Sequence, residues 1–135
     1  MSLSIRLPQP REVWSVIDGD VKLHDNKRMD KGSRFVLVVV KKDLILDHTS
    51  IFNIIPLSAS ATPDKLSFPI TQSYEDKATG FNPKTTSCAI INFYQPFEYP
   101  SFKSYCGKIE ENAYEAIKTI LANQVIGFND FDYGI

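Results

Sequence analysis

Short runs of apolar residues, separated by polar and proline- or glycine-containing segments, recur along this chain and predict a succession of β-strands. The strongest run, residues 35–40, is apolar, mostly β-branched and flanked by charge, which is typical of a strand buried on both faces. Other strands are predicted at residues 12–17, 50–58, 66–70 and 86–93, and a short strand or turn at 105–109. Pro56 is expected to put the end of its strand at a sheet edge or a bulge.

Only one segment has the periodicity of a helix. From Glu110 to about Asn123, apolar positions recur every 3.6 residues, and the predicted inner face comprises Ala113, Ile117, Ile120, Leu121 and Gln124. Residues 18–33 and 73–85 are interpreted as polar connections, and 94–100 as an extended segment fixed by prolines. The pattern predicts a mainly β (α+β) fold, a small curved barrel with a C-terminal helix. Residues 1–135 form one domain, with the barrel and helix in 10–123 and a tail in 124–135.

Composition fits one globular domain of 135 residues, with 43% hydrophobic and 23% charged residues. A net charge of -1 excludes a wholly basic nucleic-acid coat and leaves room for a local basic face. No apolar run is long enough to span a membrane, and the first residues lack a signal-peptide core, so a cytoplasmic location is expected.

The sequence offers no pattern for a metal, a cofactor or a nucleotide phosphate. Cys88 and Cys106 lack a paired motif and are expected to be reduced packing residues. His24 and His48 are isolated, so no metal site is predicted. A glycine-rich phosphate loop is absent as well.

Basic side chains concentrate in one window. Seven of the 15 lysines and arginines fall between residues 22 and 42, against two aspartates. Those in the polar loop are Lys22, Lys27, Arg28 and Lys31. The window is either a solvated loop or a positive field for an anionic ligand.

Arg34 stands at the start of the central strand, where it either closes the strand in solvent or presents a fixed positive charge to a cleft. Residues 58–63 are small, so the hydroxyls of Ser58 and Ser60 and nearby N–H groups could meet an anion there. Ser58 has an alternative role as a hydroxyl that caps its own backbone at the strand end.

The order of four segments resembles the PemK/MazF family, the toxins of bacterial toxin–antitoxin pairs. Arg11-Glu12-Val13-Trp14 resembles the family's G-x-V-W, with Arg11 in place of glycine, and residues 32–39 resemble G-x-R-P-V-L-V-V, with Phe35 in place of proline. Residues 54–58 resemble V-x-P-[LI]-T, and Gln95-Pro96 followed by residues 107–109 and the helix resembles the family's final motifs.

This resemblance implies an SH3-like barrel that pairs as a homodimer, binds an antitoxin and cleaves single-stranded RNA without a metal. The family's functional positions correspond to Arg34 and Ser58, which could stabilise the negative charge that builds on the phosphorane when a 2′-OH attacks. The basic loop residues, Ser60 and Gln95 would then contact RNA. The hypothesis requires Arg34 and Ser58 to share one hollow, and it fails if a carboxylate buries the arginine.

The resemblance is incomplete at one catalytic segment. One branch of the family has R-C-D-Q-P where this chain has Asn92-Phe93-Tyr94-Gln95-Pro96, so two charges are missing. Tyr94 could donate a proton or stack on a base, or only pack. His24 titrates near neutral pH and could act as a base, or be a solvated loop residue.

Two other functions stay open from the sequence. Residues 55–61 and the final Tyr133-Gly134-Ile135 are similar to segments of the gyrase-poisoning CcdB toxins, which have the same small barrel. The third possibility is a barrel that binds RNA or protein without catalysis.

Overall fold

The computed structural model describes residues 6–23, 32–59, 66–83 and 87–127. Within these ranges the chain forms eight strands and one α-helix. The strands are β1 (Glu12–Ile17), β2 (Ser33–Val38), β3 (Ile51–Ser58), β4 (Ser67–Pro69), β5 (Tyr74–Lys77), β6 (Cys88–Ile90), β7 (Gln95–Glu98) and β8 (Phe102–Ile109). The helix α1 (Glu111–Ile120) continues into a π-helical turn at Leu121–Val125. None of the helices in the described residues is long and apolar enough to cross a membrane.

The strands pair antiparallel in one sheet that curls into a half-barrel. Their order is β4-β6-β3-β2-β1-β8-β5, and β7 pairs with β3 beside this path. The predicted fold class, mainly β and curved with a C-terminal helix, is confirmed. β2 lies in the middle of the order: β1 pairs with it from Ser33 onwards and β3 from Val36 onwards.

The valine-rich strand is buried on both faces, as predicted. Alternate residues of the segment enter two different apolar clusters, since successive side chains of a strand point to opposite faces. Leu37 and Val39 belong to the cluster that α1 covers through Ala113 and Ile117. Val36, Val38 and Val40 belong to the second cluster, which contains Trp14, Phe52 and Phe97. Cys88 and Cys106 are both buried and are not joined in a disulfide, which confirms the packing role predicted for them.

Several predicted boundaries are wrong, because pairing with a neighbouring strand, and not local apolar alternation, defines these strands. The segment 73–85 was predicted as a connection, yet it contains β5, whose residues Tyr74-Glu75-Asp76-Lys77 show no apolar alternation. Its pairing with β8 makes it a strand. The predicted strand 86–93 ends at Ile90, after which Ile91–Phe93 form a 3-10 turn. Within the predicted extended segment, Gln95–Glu98 pair with β3 as β7. β8 begins three residues before the predicted strand.

Pro56 lies inside β3, two residues before its end, and not at the expected edge or bulge. On one side it pairs with Val36 of β2. On the other side β7 pairs with β3 up to Ile54, and β6 begins to pair at Leu57. Proline has no N–H to donate, and the change of partner at this point makes none necessary.

The helix begins one residue later than predicted and its regular α-helical part ends at Ile120. Ala113, Ile117 and Leu121 are buried and Ile120 packs against them, but Gln124 is exposed and does not belong to the inner face. Tyr114, which the period analysis left out, is buried.

Two positions within the family-like motifs, Arg11 and Gly107, carry a constraint on the backbone. Arg11, where the family pattern has glycine, has a φ of 74°, in the left-handed region that favours glycine. The strain is held by the Arg11 Nη1, which donates to Glu75 Oε1 at 3.0 Å and to the Ile109 carbonyl at 3.2 Å. At Gly107 an added Cβ would lie 2.7 Å from the Asp76 carbonyl oxygen, so β5 can approach β8 only at a glycine.

We expect Arg11→Gly to be more stable than Arg11→Ala by about 1 kcal/mol, because both variants lose the side-chain bonds and only glycine also relieves the positive φ. Urea unfolding of the two variants measures this difference. Equal midpoints and slopes would contradict strain at this position.

Candidate functional site

Arg34 and Ser58 line the same pocket, of about 170 Å³. Arg34 is the second residue of β2 and Ser58 the last residue of β3, and the two strands are antiparallel neighbours. The start of one strand therefore meets the end of the other. The remaining lining comprises Ser33, Phe35, Leu57, Ala59, Tyr74, Phe81, Pro83 and Ser87. The first requirement of the ribonuclease hypothesis is met.

The Arg34 guanidinium is fixed by a buried carboxylate. Its Nε donates to Asp18 Oδ1 at 2.7 Å, and its Nη1 donates to the Leu57 carbonyl at 3.2 Å. The side chain of Asp18 is fully buried and that of Arg34 is 9% exposed. Gly32 shapes this corner, because its φ of 77° turns the chain into β2 and its carbonyl accepts the Asp18 N–H.

This ion pair contradicts the second requirement of the hypothesis, an arginine that no carboxylate buries. Asp18 cancels most of the net charge that Arg34 would offer an anion. It also orients the guanidinium, and no described residue accepts a hydrogen bond from Nη2. The pocket therefore offers directed N–H donors in place of a bare cation. The sequence analysis missed Asp18, since Asp-Gly-Asp after a strand is ordinary turn chemistry.

A lysine from a distant segment also reaches the rim of the pocket. Lys103, an exposed residue of β8, donates from its Nζ to the Ser33 Oγ at 2.6 Å. The sequence analysis missed it because it lies outside the basic window. The sheet order places β8 two strands away from β2, which no local pattern reveals.

Gln95 and Lys22, both predicted to contact RNA, contact each other through the backbone of Lys22. The Gln95 side chain accepts the Lys22 N–H at 2.8 Å and donates to the Lys22 carbonyl at 2.9 Å. It also donates to the Phe93 carbonyl. Gln95 thus holds the segment after β1, while Lys22 lines a separate groove with Asp20, Ile51 and Pro96.

Tyr94 does not line the pocket of Arg34 and Ser58. It lines a groove of about 490 Å³ beside α1, together with Val39, Tyr114 and Lys118. Burial raises the pKa of the Tyr94 hydroxyl, which keeps it protonated.

Five other candidate residues lie outside the described part of the chain. They are His24, Lys27, Arg28, Lys31 and Ser60. Their roles in RNA contact or proton transfer remain predictions, as does the role of the terminal Tyr133-Gly134-Ile135.

The fold has clear counterparts among solved structures. Toxin MazF-mt6 from Mycobacterium tuberculosis aligns with a TM-score of 0.61 and 14% identity, over 91% of this chain and all of that one. An endoribonuclease in complex with its cognate antitoxin from a mycobacterial species aligns with a TM-score of 0.58 and 12% identity, over 94% of this chain and all of that one. MazE-MazF from Deinococcus radiodurans aligns with a TM-score of 0.59 and 11% identity, over 88% of this chain and 95% of that one.

These alignments show that the chain has a MazF-like fold, which confirms the fold that the motif order indicated. Sequence comparison finds no matching family model and no significant match among curated proteins. At this level of identity, function has to be argued from the pocket itself.

We expect Asp18→Ala and Arg34→Met each to lower the free energy of unfolding by about 3–5 kcal/mol, because each leaves a buried charge without its partner. The double variant should lose less than the sum of the two. Chemical denaturation of the three variants measures the coupling, and strictly additive losses would show that the pair does not interact.

Proposed function

We propose that this protein is a MazF-like toxin that binds single-stranded RNA at the pocket of Arg34 and Ser58 and cleaves it without a metal. The proposal gives up the requirement for an arginine that no carboxylate buries, because Asp18 accepts from the Arg34 Nε and no described residue accepts from Nη2. The observation that carries the proposal is the meeting of the two side chains in one pocket on this fold. The solved structures with this fold include proteins named as toxins and endoribonucleases.

The proposed cleavage step uses the hydrogen-bond donors of Ser58 and Arg34. The 2′-oxygen of a ribose attacks the adjacent phosphorus, the bond to the 5′-oxygen breaks, and a 2′,3′-cyclic phosphate and a 5′-hydroxyl result. Negative charge builds on the phosphorane oxygens, where the Ser58 hydroxyl and the remaining Arg34 N–H groups would donate. Arg34 acts here as a hydrogen-bond donor and not as the base. His24 is the sequence's candidate for accepting the 2′-OH proton.

The Asp18–Arg34 pair favours a second candidate, a barrel that binds RNA without cutting it. A neutralised guanidinium stabilises a dianionic phosphorane less than a free one does. It can still donate hydrogen bonds to the phosphate of a bound strand. The two candidates share the ligand and the pocket, so a cleavage assay separates them.

We also propose two protein partners. MazF-like structures are known in complexes with an antitoxin, as the mycobacterial and Deinococcus examples show by name. An antitoxin for this chain would insert an acidic segment that folds as it binds. The chain itself is proposed to pair as a homodimer.

The purified protein is expected to cut a mixed-sequence single-stranded RNA in excess chelator and to leave cyclic phosphate ends. Ser58→Ala should slow cleavage by about 100-fold, because one donor to the phosphorane is lost. Gel analysis of end-labelled RNA, with the ends identified by mass spectrometry, measures both effects.

Ser104→Ala is the matched control, since Ser104 is an exposed serine of β8 outside the pocket. It should cut like the wild type. RNA that is bound but stays intact would overturn the ribonuclease and establish the non-cleaving candidate. RNA that is neither bound nor cut would contradict both.

A further inference from the structure

One side of the Arg34–Ser58 pocket is an aromatic wall, formed by Phe35, Tyr74 and Phe81. The Phe35 and Phe81 rings meet edge to face, with centroids 5.2 Å apart at 72°. The Tyr74 and Phe81 rings meet in the same way at 5.6 Å and 60°. The wall is built from three segments, since Phe35 lies in β2, Tyr74 in β5 and Phe81 in the connection after β5.

The rings of the wall contact each other edge to face and are not stacked face to face. In an edge-to-face pair, the ring that contributes its edge keeps both of its faces clear of its partner. Phe35 is 41% exposed, which is high for a phenylalanine beside two other aromatic rings. The wall therefore has ring surface left for a flat ligand, held in place before the ligand arrives.

Tyr74 contributes its ring to this wall, while its hydroxyl is turned away from solvent. Its hydroxyl is buried and has no hydrogen-bond partner within the described chain. An unpaired buried hydroxyl is costly, so native structures rarely keep one without a reason. Burial raises the pKa of Tyr74 far above its usual value, so the hydroxyl stays protonated and able to donate.

We propose that the aromatic wall stacks one nucleobase of single-stranded RNA, next to the phosphate that Arg34 and Ser58 contact. Ring surface for stacking and phosphate donors lie together in one pocket, which is the combination that single-stranded nucleic acid requires. The pocket volume of about 170 Å³ is well below the ~300 Å³ of a drug-sized site. It suits one base. This inference rests on the RNA binding proposed above and does not require cleavage.

The test uses a short 2′-deoxy oligonucleotide, which lacks the attacking hydroxyl and cannot be cut. 2-Aminopurine, a fluorescent base that is quenched by stacking, replaces one base at a time. In the wild type we expect quenching concentrated at one position. Phe35→Leu and Phe81→Leu should remove that quenching and raise the Kd by at least about 5-fold, because stacking contributes ~1–3 kcal/mol per base. Leucine keeps the apolar surface and removes only the ring.

Phe35→Trp should keep the quenching, because it restores a ring. Leu46→Ala is the matched control: Leu46 is 81% exposed, lies outside the pocket and should leave both Kd and quenching unchanged. Tyr74→Phe keeps the ring and should leave the Kd unchanged, with the unfolding midpoint unchanged or higher, since it deletes only an unpaired buried hydroxyl. A destabilising packing defect would lower the midpoint.

Wild-type binding and quenching in both leucine variants would overturn the base site. So would tight binding of oligonucleotides with an abasic site at every position in turn, which would assign the wall to an apolar side chain of a protein partner. Quenching without RNA cleavage would contradict the ribonuclease and support the base site. Cleavage without quenching would contradict the base site alone.

Discussion

The buried ion pair between Asp18 and Arg34 constrains the rest of the site. Two charges leave water only where each finds a close partner, and here the 2.7 Å contact and the Leu57 carbonyl provide it. The pair joins the turn after β1 to the start of β2 and the end of β3. Because these three strand ends are fixed together, the neighbouring Ser58 and Phe35 are held in a defined arrangement. The buried pair thus defines one side of the pocket, and Tyr74 and Phe81 form the other.

That arrangement decides what kind of ligand the pocket suits. A bare guanidinium would attract any anion over several ångströms, whereas a neutralised one acts only within hydrogen-bond distance and in fixed directions. Long-range attraction must then come from exposed cations at the rim, of which Lys103 is one. A ligand that combines a ring with a phosphate gains from both the aromatic wall and the donors. A free inorganic anion gains from the donors alone.

Much of the fold was predictable from the sequence, and each wrong prediction has a physical reason. β1, β2 and β3 carry long apolar patterns because the sheet buries them, and α1 has an apolar stripe because it covers one cluster. β5 is charged and mostly exposed, so only its pairing with β8 defines it. Arg34 and Ser58 were found through motif order. Asp18 and Lys103 were missed because an ion pair across 16 residues and a contact across 70 leave no local pattern.

The family-like motifs indicate the fold at such low identity because several of them mark backbone constraints and not only side-chain chemistry. Arg11 adopts a positive φ where the family pattern has glycine, Gly32 turns the chain into β2, and Gly107 lets β5 approach. At the two positions with a positive φ, Arg11 and Gly32, a substitution changes stability by about 1 kcal/mol but leaves the path of the chain intact. The pocket side chains have no such restriction, as Phe35 in place of proline shows. Fold and pocket chemistry can therefore diverge independently, so this chain keeps a MazF-like path of the backbone while it has an aromatic side chain of its own beside Arg34.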